Sequence, residues 1–426
     1  MVFIKRIIVI MVALICCSSA YAAKNVILII PDGCSVTMWA SIRAMTVGAE
    51  GLLNIDKLPV QGRCRTYSAD ALITDSAAAA TAYACGVKTR NDILGMDAAT
   101  VRGDSTTGSA VESILERAEK AGYATGLITT TFVVHATPGA FYTHHAERRW
   151  YDLIAGDLVH KGIEVVMGGG RDYMIPSGAV DEEGSPSKRK DGRNITREMK
   201  QLGYTYVYDT VGFNAIDPEK TDRLLGLFNA GNMQFEYNRA KDRAGEPALW
   251  EMTEKTIKIL SKKRKGFFLM VESGIIDSVA HSHETLEYLW EGIACDKTVG
   301  VAREFALKNR DTLLIVVADH ATGGPSLVGM LDLSKPDSAV VTDGFPKYTL
   351  RPDGFPASDG GKPVAIQWVK STGHTGEDVN VSAMGPCSQE LDGIIQNTDV
   401  FRVMAKHLGV DKAEKREKDL GELVDW

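Results

Sequence analysis

The chain has little of what would mark a disulfide scaffold, a nucleic-acid binder or a membrane-spanning protein. Its 426 residues hold seven cysteines at no regular spacing, which excludes a dense disulfide framework and a Cys-x-x-Cys metal ribbon. Five of them, Cys34, Cys64, Cys85, Cys295 and Cys387, follow the first 22 residues. An odd number leaves at least one thiol free, and Cys85, inside an Ala-rich stretch, is the candidate. Positive charge is also scarce: 48 Lys and Arg face 55 Asp and Glu, for a net charge of -7. No basic stripe invites nucleic acid, and Ser187-Lys188-Arg189-Lys190, set among Gly, Pro and Asp, reads as a solvated loop. The six tryptophans have no spacing that suggests a base-stacking platform. No internal repeat is evident.

Long hydrophobic runs are missing too. The run Ile7 to Ile15 is well short of the about 20 residues that cross a bilayer. Lys5 and Arg6 precede it and Ser18-Ser19-Ala20-Tyr21-Ala22-Ala23 follow it, the layout of a signal peptide cleaved near Ala22 or Ala23. Residues 1–22 are therefore expected to be removed on export to the periplasm or the medium, with no stable membrane span. Cys16 and Cys17 raise the question of a lipid anchor, but bulky Ile15 and Cys16 stand where a small residue is expected.

What the chain does have is a set of short, buried-looking strands. Asn25 to Ile30, Phe267 to Val271 and Thr312 to Ala318 are continuous apolar runs of strand length, as in a sheet covered on both faces. Thr125 to Thr129 and Val165 to Met167 are shorter candidates. Helical stretches, including Ala110 to Ala121 and Leu286 to Lys308, lie between them. The alternation predicts a three-layer α/β sandwich with a mostly parallel central sheet. Residues 23–426 read as one domain with two insertions: about 172–250, weakly periodic, and about 326–370, rich in proline and Gly turns.

The chemistry-bearing residues gather where strands end. The three apolar runs lead into Asp32-Gly33, Glu272-Ser273-Gly274 and Asp319-His320, and ligands of open α/β sheets bind beyond the carboxyl ends of strands. Asp277 and His281 are spaced i, i+4 on one helical face, a pair that suits zinc but also an ordinary Asp–His contact. His374 sits in Thr372-Gly373-His374-Thr375-Gly376, a flexible loop. Thr74-Asp75-Ser76 precedes an Ala-rich stretch, so a helix should begin close to Ser76. Its free N–H groups and partial positive charge favour phosphate or an alkoxide there, although Asp and Ser are also common helix caps.

In order and spacing, Asp32-Gly33, Thr74-Asp75-Ser76-Ala77, Cys85-Gly86-Val87-Lys88-Thr89, His135-Ala136-Thr137-Pro138, Asp319-His320 and Gly373-His374-Thr375-Gly376-Glu377-Asp378-Val379 resemble the alkaline phosphatase family. The resemblance runs from Lys24 to about residue 405. Val166-Met167-Gly168-Gly169-Gly170-Arg171 and Gly226-Leu227-Phe228 resemble its animal-type branch. It implies hydrolysis of phosphate monoesters through a phosphoserine at Ser76, with two Zn²⁺ and one Mg²⁺ per chain. Asp277, His281 and His374 would hold one zinc; Asp32, Asp319 and His320 would hold the other. Asp32, Thr137 and Glu272 would serve the magnesium. Arg148 would clamp phosphate, oriented by Asp75, with adjacent Arg149 the competing choice.

A homodimer with the 326–370 insertion as a crown-like extension is also implied. His135 stands where the enterobacterial enzymes have Asp, which leaves the occupancy and metal of the third site open, with His135 the alternative donor to metal-bound water or to phosphate. Ser278 stands where relatives carry Lys, Trp or His, so one phosphate contact is open, and Asn229 stands where animal relatives have an acidic calcium ligand, so a calcium site is not assigned. The competing functions are a diesterase, sulfatase or phosphomutase on the same fold, or a silent phosphate- or metal-binding protein. A sulfatase would show Cys or Ser, then Pro and Arg, which the Ser76 segment lacks.

Overall fold

The three apolar runs of strand length become the middle of one sheet whose faces are covered by helices. The computed structural model describes residues 25–331, 341–342, 351–352, 354–355 and 364–411; the expected signal peptide and part of the 326–370 insertion lie outside them. Strands β1 (Asn25–Pro31), β2 (Val60–Arg65), β3 (Ala124–Phe132), β4 (Val165–Gly169), β5 (Thr205–Val207), β6 (Leu224–Leu227), β7 (Phe267–Ser273) and β8 (Thr312–Val317) belong to a ten-stranded sheet. Two later strands, introduced below, complete it. Every residue of β1, β7 and β8 is buried. With both faces packed, alternation has no physical role, and Val, Ile, Leu and Phe fill the run.

A small two-stranded ribbon, built from segments far apart in the chain, lies beyond β8. Its strands β9 (Ala321–Thr322) and β13 (His374–Thr375) pair antiparallel, with His374 opposite Thr322. Strands β10 (Ser326–Leu331), β11 (Val341–Thr342) and β12 (Val364–Gln367) form a separate antiparallel sheet. The chain then returns as β14 (Val379–Met384) and β15 (Gly393–Gln396), giving the order β15-β2-β14-β8-β1-β7-β3-β4-β6-β5. Strand β14 runs antiparallel to both β8 and β2, and the other pairings are parallel. The weakly periodic 172–250 stretch contributes β5 and β6 to one edge. Strands of three and four residues are too short to show a period.

Four helices matter for the site. The first, α1 (Ser76–Cys85), is buried along its whole length, which its Ala residues permit by letting neighbours come close. It ends at Gly86, in the left-handed region at φ 71°, where an added Cβ would lie 2.4 Å from the Phe401 ring. Helix α2 (Ile114–Lys120) is shorter than the predicted 110–121. Ser113 and Glu116 form a reciprocal capping box, which fixes its start. Helix α3 (Ile275–His281) leaves β7, and α4 (Thr285–Lys308) follows it.

All five described cysteines are free, four of them buried. Among the described residues no helix is long and apolar enough to cross a membrane.

Candidate active site

Ser76 is the first residue of α1 and Asp75 is its cap. The Asp75 carboxylate has several partners at once. Oδ1 accepts the Ala78 N–H at 2.9 Å; Oδ2 accepts the Asp92 N–H at 3.0 Å and Arg148 Nη1 at 2.9 Å. Asp92, held at φ 69°, returns its carbonyl to the Arg148 N–H at 2.8 Å. The loop before the helix and the loop carrying Arg148 are thus tied by both backbone and charge. Arg149 makes none of these contacts and is exposed.

Beyond the ends of β1 and β8, ligand-type atoms converge on one imidazole. His320 Nε2 lies 3.2 Å from Ser76 Oγ, 3.4 Å from Asp32 Oδ1 and 3.3 Å from Asp319 Oδ2. All four residues are buried. Asp319 Oδ1 is held by the N–H groups of Gly33 at 3.1 Å and His320 at 2.9 Å. Burial, then the nearby carboxylates Asp319, Asp277 and Glu272, pushes the Asp32 carboxyl well above its ordinary range. Burial and Asp277 push Asp319 up to about 8. Burial and His374 drive His320 down, leaving it neutral. Carboxylates crowded in a dry site repel one another until protons or a cation join them, and the neutral imidazole offers that cation a lone pair. Asp32 Oδ1 and Asp319 Oδ2 lack a hydrogen-bond partner, which fits a metal rather than a hydrogen-bonded core.

A second group is built from α3 and the β13 loop. Asp277 Oδ2 is 3.2 Å from His281 Nε2, and Oδ1 is 3.7 Å from His374 Nε2. Burial opposes the charge on Asp277, but His281, His320 and His374 together hold its carboxyl well below the usual range. The Nδ1 atoms are spoken for by carbonyls: His281 with Thr372 at 2.5 Å, His374 with Thr74 at 2.8 Å. Each Nδ1 must therefore carry the proton, which leaves each Nε2 lone pair available to a metal. Thr322 Oγ1 donates to Asp277 Oδ1 at 2.6 Å. The His320 and His374 rings stack at 3.6 Å, so the close trio is Asp277, His320 and His374, with His281 on the other oxygen of Asp277.

The third group lies toward β3. Asp32, His135 and Glu272 place ligand atoms within 4.8 Å of one another, and Thr137 Oγ1 reaches Asp32 Oδ2 at 3.3 Å. Glu272 Oε2 accepts the hydroxyls of Thr129 and, at 3.0 Å, Thr131, while Oε1 has no partner. Burial and Arg148 push His135 down to about 3, so its ring is neutral. Arg148 Nη2 lies 3.1 Å from His135 Nε2; a guanidinium only donates, so Nε2 accepts and Nδ1 carries the proton.

The residues predicted as ligands, with His135, fall into these three adjoining groups, and Asp75 joins the start of the Ser76 helix to Arg148. Sequence reasoning missed the hydroxyls that orient the carboxylates, Thr322, Thr129 and Thr131, and the Asp92 turn. Thr322 is two residues from His320, a proximity that could have flagged it; the others carry no such signal.

The family model described as alkaline phosphatase matches residues 23–342 and 362–410. The tissue-nonspecific alkaline phosphatase isozyme of Mus musculus is 35% identical over 439 residues, covering 90% of this chain and 83% of its own. Among solved structures, the Thermus thermophilus alkaline phosphatase is 28% identical, with a TM-score of 0.75 and coverage of 91% of this chain and 92% of that one. The alkaline phosphatase of the Antarctic bacterium TAB5 is 27% identical, with a TM-score of 0.72 and coverage of 92% and 99%.

Proposed function

The chain belongs to the alkaline phosphatase family and is a phosphomonoester hydrolase, and we propose that it works by passing the phosphoryl group first to Ser76 and then to water. The observation that carries this reading is the convergence of Ser76 Oγ, Asp32 Oδ1 and Asp319 Oδ2 on His320 Nε2 within 3.4 Å. It puts the hydroxyl of the first helical residue among metal-ligand atoms. A serine hydroxyl is a weak nucleophile until its proton is lost. The start of α1 favours the charge that results.

Asp277, His281 and His374 would hold one zinc ion, and Asp32, Asp319 and His320 a second. The oxygen donors Asp32, Thr137 and Glu272 would suit magnesium, a hard cation, with His135 at its margin. When bound, such paired cations stabilise negative charge on both the attacking and the leaving oxygen of an in-line displacement. Ser76 Oγ forms a bond to phosphorus as the ester P–O bond breaks and the alcohol departs. Water then attacks the same phosphorus from the vacated side, and Ser76 is released with inorganic phosphate. Arg148 spends one N–H of Nη1 on Asp75 and one of Nη2 on His135; each nitrogen keeps a second for a phosphate oxygen, the bidentate geometry that guanidinium favours.

Residues 1–22 would direct export, residues 23–426 would form one catalytic domain, and two copies would associate through the 326–370 region. Hydrolysis of a chromogenic phosphate monoester at alkaline pH tests the main reading. It is followed after chelation, after Zn²⁺ and Mg²⁺ add-back, and in Ser76→Ala, with mass spectrometry of the acid-quenched wild type. Activity that needs both metals, with phosphate trapped on Ser76, is expected. Turnover that survives Ser76→Ala removes the phosphoserine route, and a zinc-loaded protein inert to monoesters redirects the assignment to diesters.

A further inference from the structure

The chemistry at Ser76 leaves Arg149 and the Lys188–Lys190 run without a role, yet the fold brings them together. Directly after Arg148 the chain borders a cleft of about 730 Å³ lined by Arg149, Trp150, Tyr151, Tyr173, Lys188 and Lys190, among others. That volume suits a small molecule. The cleft adjoins the site through packed rings. Phe132 meets the His135 ring edge-on at 5.0 Å and Tyr151 at 5.2 Å, and Tyr151 lies 4.9 Å from Tyr173.

Its acids are engaged: Asp191 pairs with Arg189 at 2.7 Å, and Asp152 accepts the Lys190 backbone N–H at 3.1 Å. Lys188 is taken by Asp172 at 2.8 Å. Arg149 and Lys190 are exposed and have no ion-pair partner among the described residues. On a chain of net charge -7, two uncommitted cations and three aromatic rings therefore line a cleft whose wall begins one residue after Arg148.

We propose that this cleft is a leaving-group subsite that favours phosphate monoesters whose alcohol carries both an aromatic ring and a second negative charge, the chemistry of a nucleoside bisphosphate. This rests on the phosphomonoesterase reading above. The bonds made and broken are those at Ser76. The cleft adds a ring face for stacking, which tolerates any base, and two cations for the second anion. These are exposed charges, so their contribution is moderate and screened by salt.

The test compares kcat/KM of the metal-loaded enzyme for glycerol phosphate (neither feature), fructose bisphosphate (charge only), adenosine monophosphate (ring only) and adenosine bisphosphate (both). Wild type is expected to favour adenosine bisphosphate over glycerol phosphate by about tenfold or more, through KM. The double variant Arg149→Ala/Lys190→Ala should lower adenosine bisphosphate to the monophosphate level and leave glycerol phosphate unchanged, and added salt should mimic it. Trp150→Leu should erase the advantage of the ring. Because the double variant changes exposed side chains, it remains decisive if Trp150→Leu fails to fold. Equal use of all four substrates by wild type overturns the proposal, as does a loss in the double variant shared by glycerol phosphate. Failure to hydrolyse any of them refutes the phosphomonoesterase reading instead.

Discussion

Replacing Asp75 with Asn separates two roles that one carboxylate performs. The side chain caps α1 through Oδ1 and grips Arg148 and the Asp92 N–H through Oδ2. Asn caps a helix about as well as Asp, so the Ala78 bond survives. Its amide nitrogen, however, meets Arg148 Nη1 and the Asp92 N–H, both donors. A hydrogen bond to a charged group contributes about 1.5–3 kcal/mol. The Arg148 side chain retains 14% exposure, so water recovers part of this, leaving about 1–2 kcal/mol, or roughly 5- to 30-fold.

Asp75→Asn should therefore lower kcat/KM for a small phosphate monoester about tenfold and raise the inhibition constant of inorganic phosphate by a similar factor, with Tm nearly unchanged. Asp75→Ala should show the same kinetic loss and also lose the cap, about 1 kcal/mol, which in a chain of this length lowers Tm by about 2 °C or less. Steady-state kinetics with phosphate as inhibitor and a thermal melt read both variants. Unchanged phosphate inhibition in Asp75→Asn would refute the view that Asp75 positions Arg148.

Other consequences follow from individual contacts. Thr322→Val removes the donor to Asp277 Oδ1 while keeping side-chain shape; zinc affinity, measured against a chromogenic chelator, should fall about 10- to 100-fold. Gly33→Ala would set a Cβ 2.8 Å from the Asp277 backbone at a position with φ +70°. Strain of about 1–3 kcal/mol should then displace Asp277, lowering bound zinc by elemental analysis along with Tm. Far from the site, burial pushes Glu291 up from 4.5 to about 8. The folded chain keeps a proton there that the unfolded chain releases, so stability falls as pH rises between those values, by about 1.4 kcal/mol per pH unit. Glu291→Gln should flatten that decline and raise Tm at alkaline pH, as thermal melts across pH would show.

The sequence by itself determined whatever depends on a few neighbouring residues. Buried strands read as unbroken apolar runs because both faces are covered. Asp75-Ser76 before Ala-rich residues marks a helix start because caps are local hydrogen bonds. Asp32, Glu272 and Asp319 could be placed at strand ends because each apolar run stops there. The alkaline phosphatase motifs added the ligand assignment to that reading.

Tertiary structure decided what depends on residues hundreds of positions apart. Ser76 meets His320 across 244 residues, and the Thr74 carbonyl sets the His374 tautomer across 300. No periodicity encodes these contacts; sheet order and the β9–β13 pairing create them. The same holds for β5 and β6, too short to show a period, and for the carboxylate-orienting hydroxyls of Thr129, Thr131 and Thr322. Of two adjacent arginines only the family resemblance favoured Arg148; the fold turns Arg148 to Asp75 and His135 and leaves Arg149 on the rim of an aromatic cleft. Hydrophobic pattern reports which residues are buried; which functional groups meet is fixed only when distant elements pack.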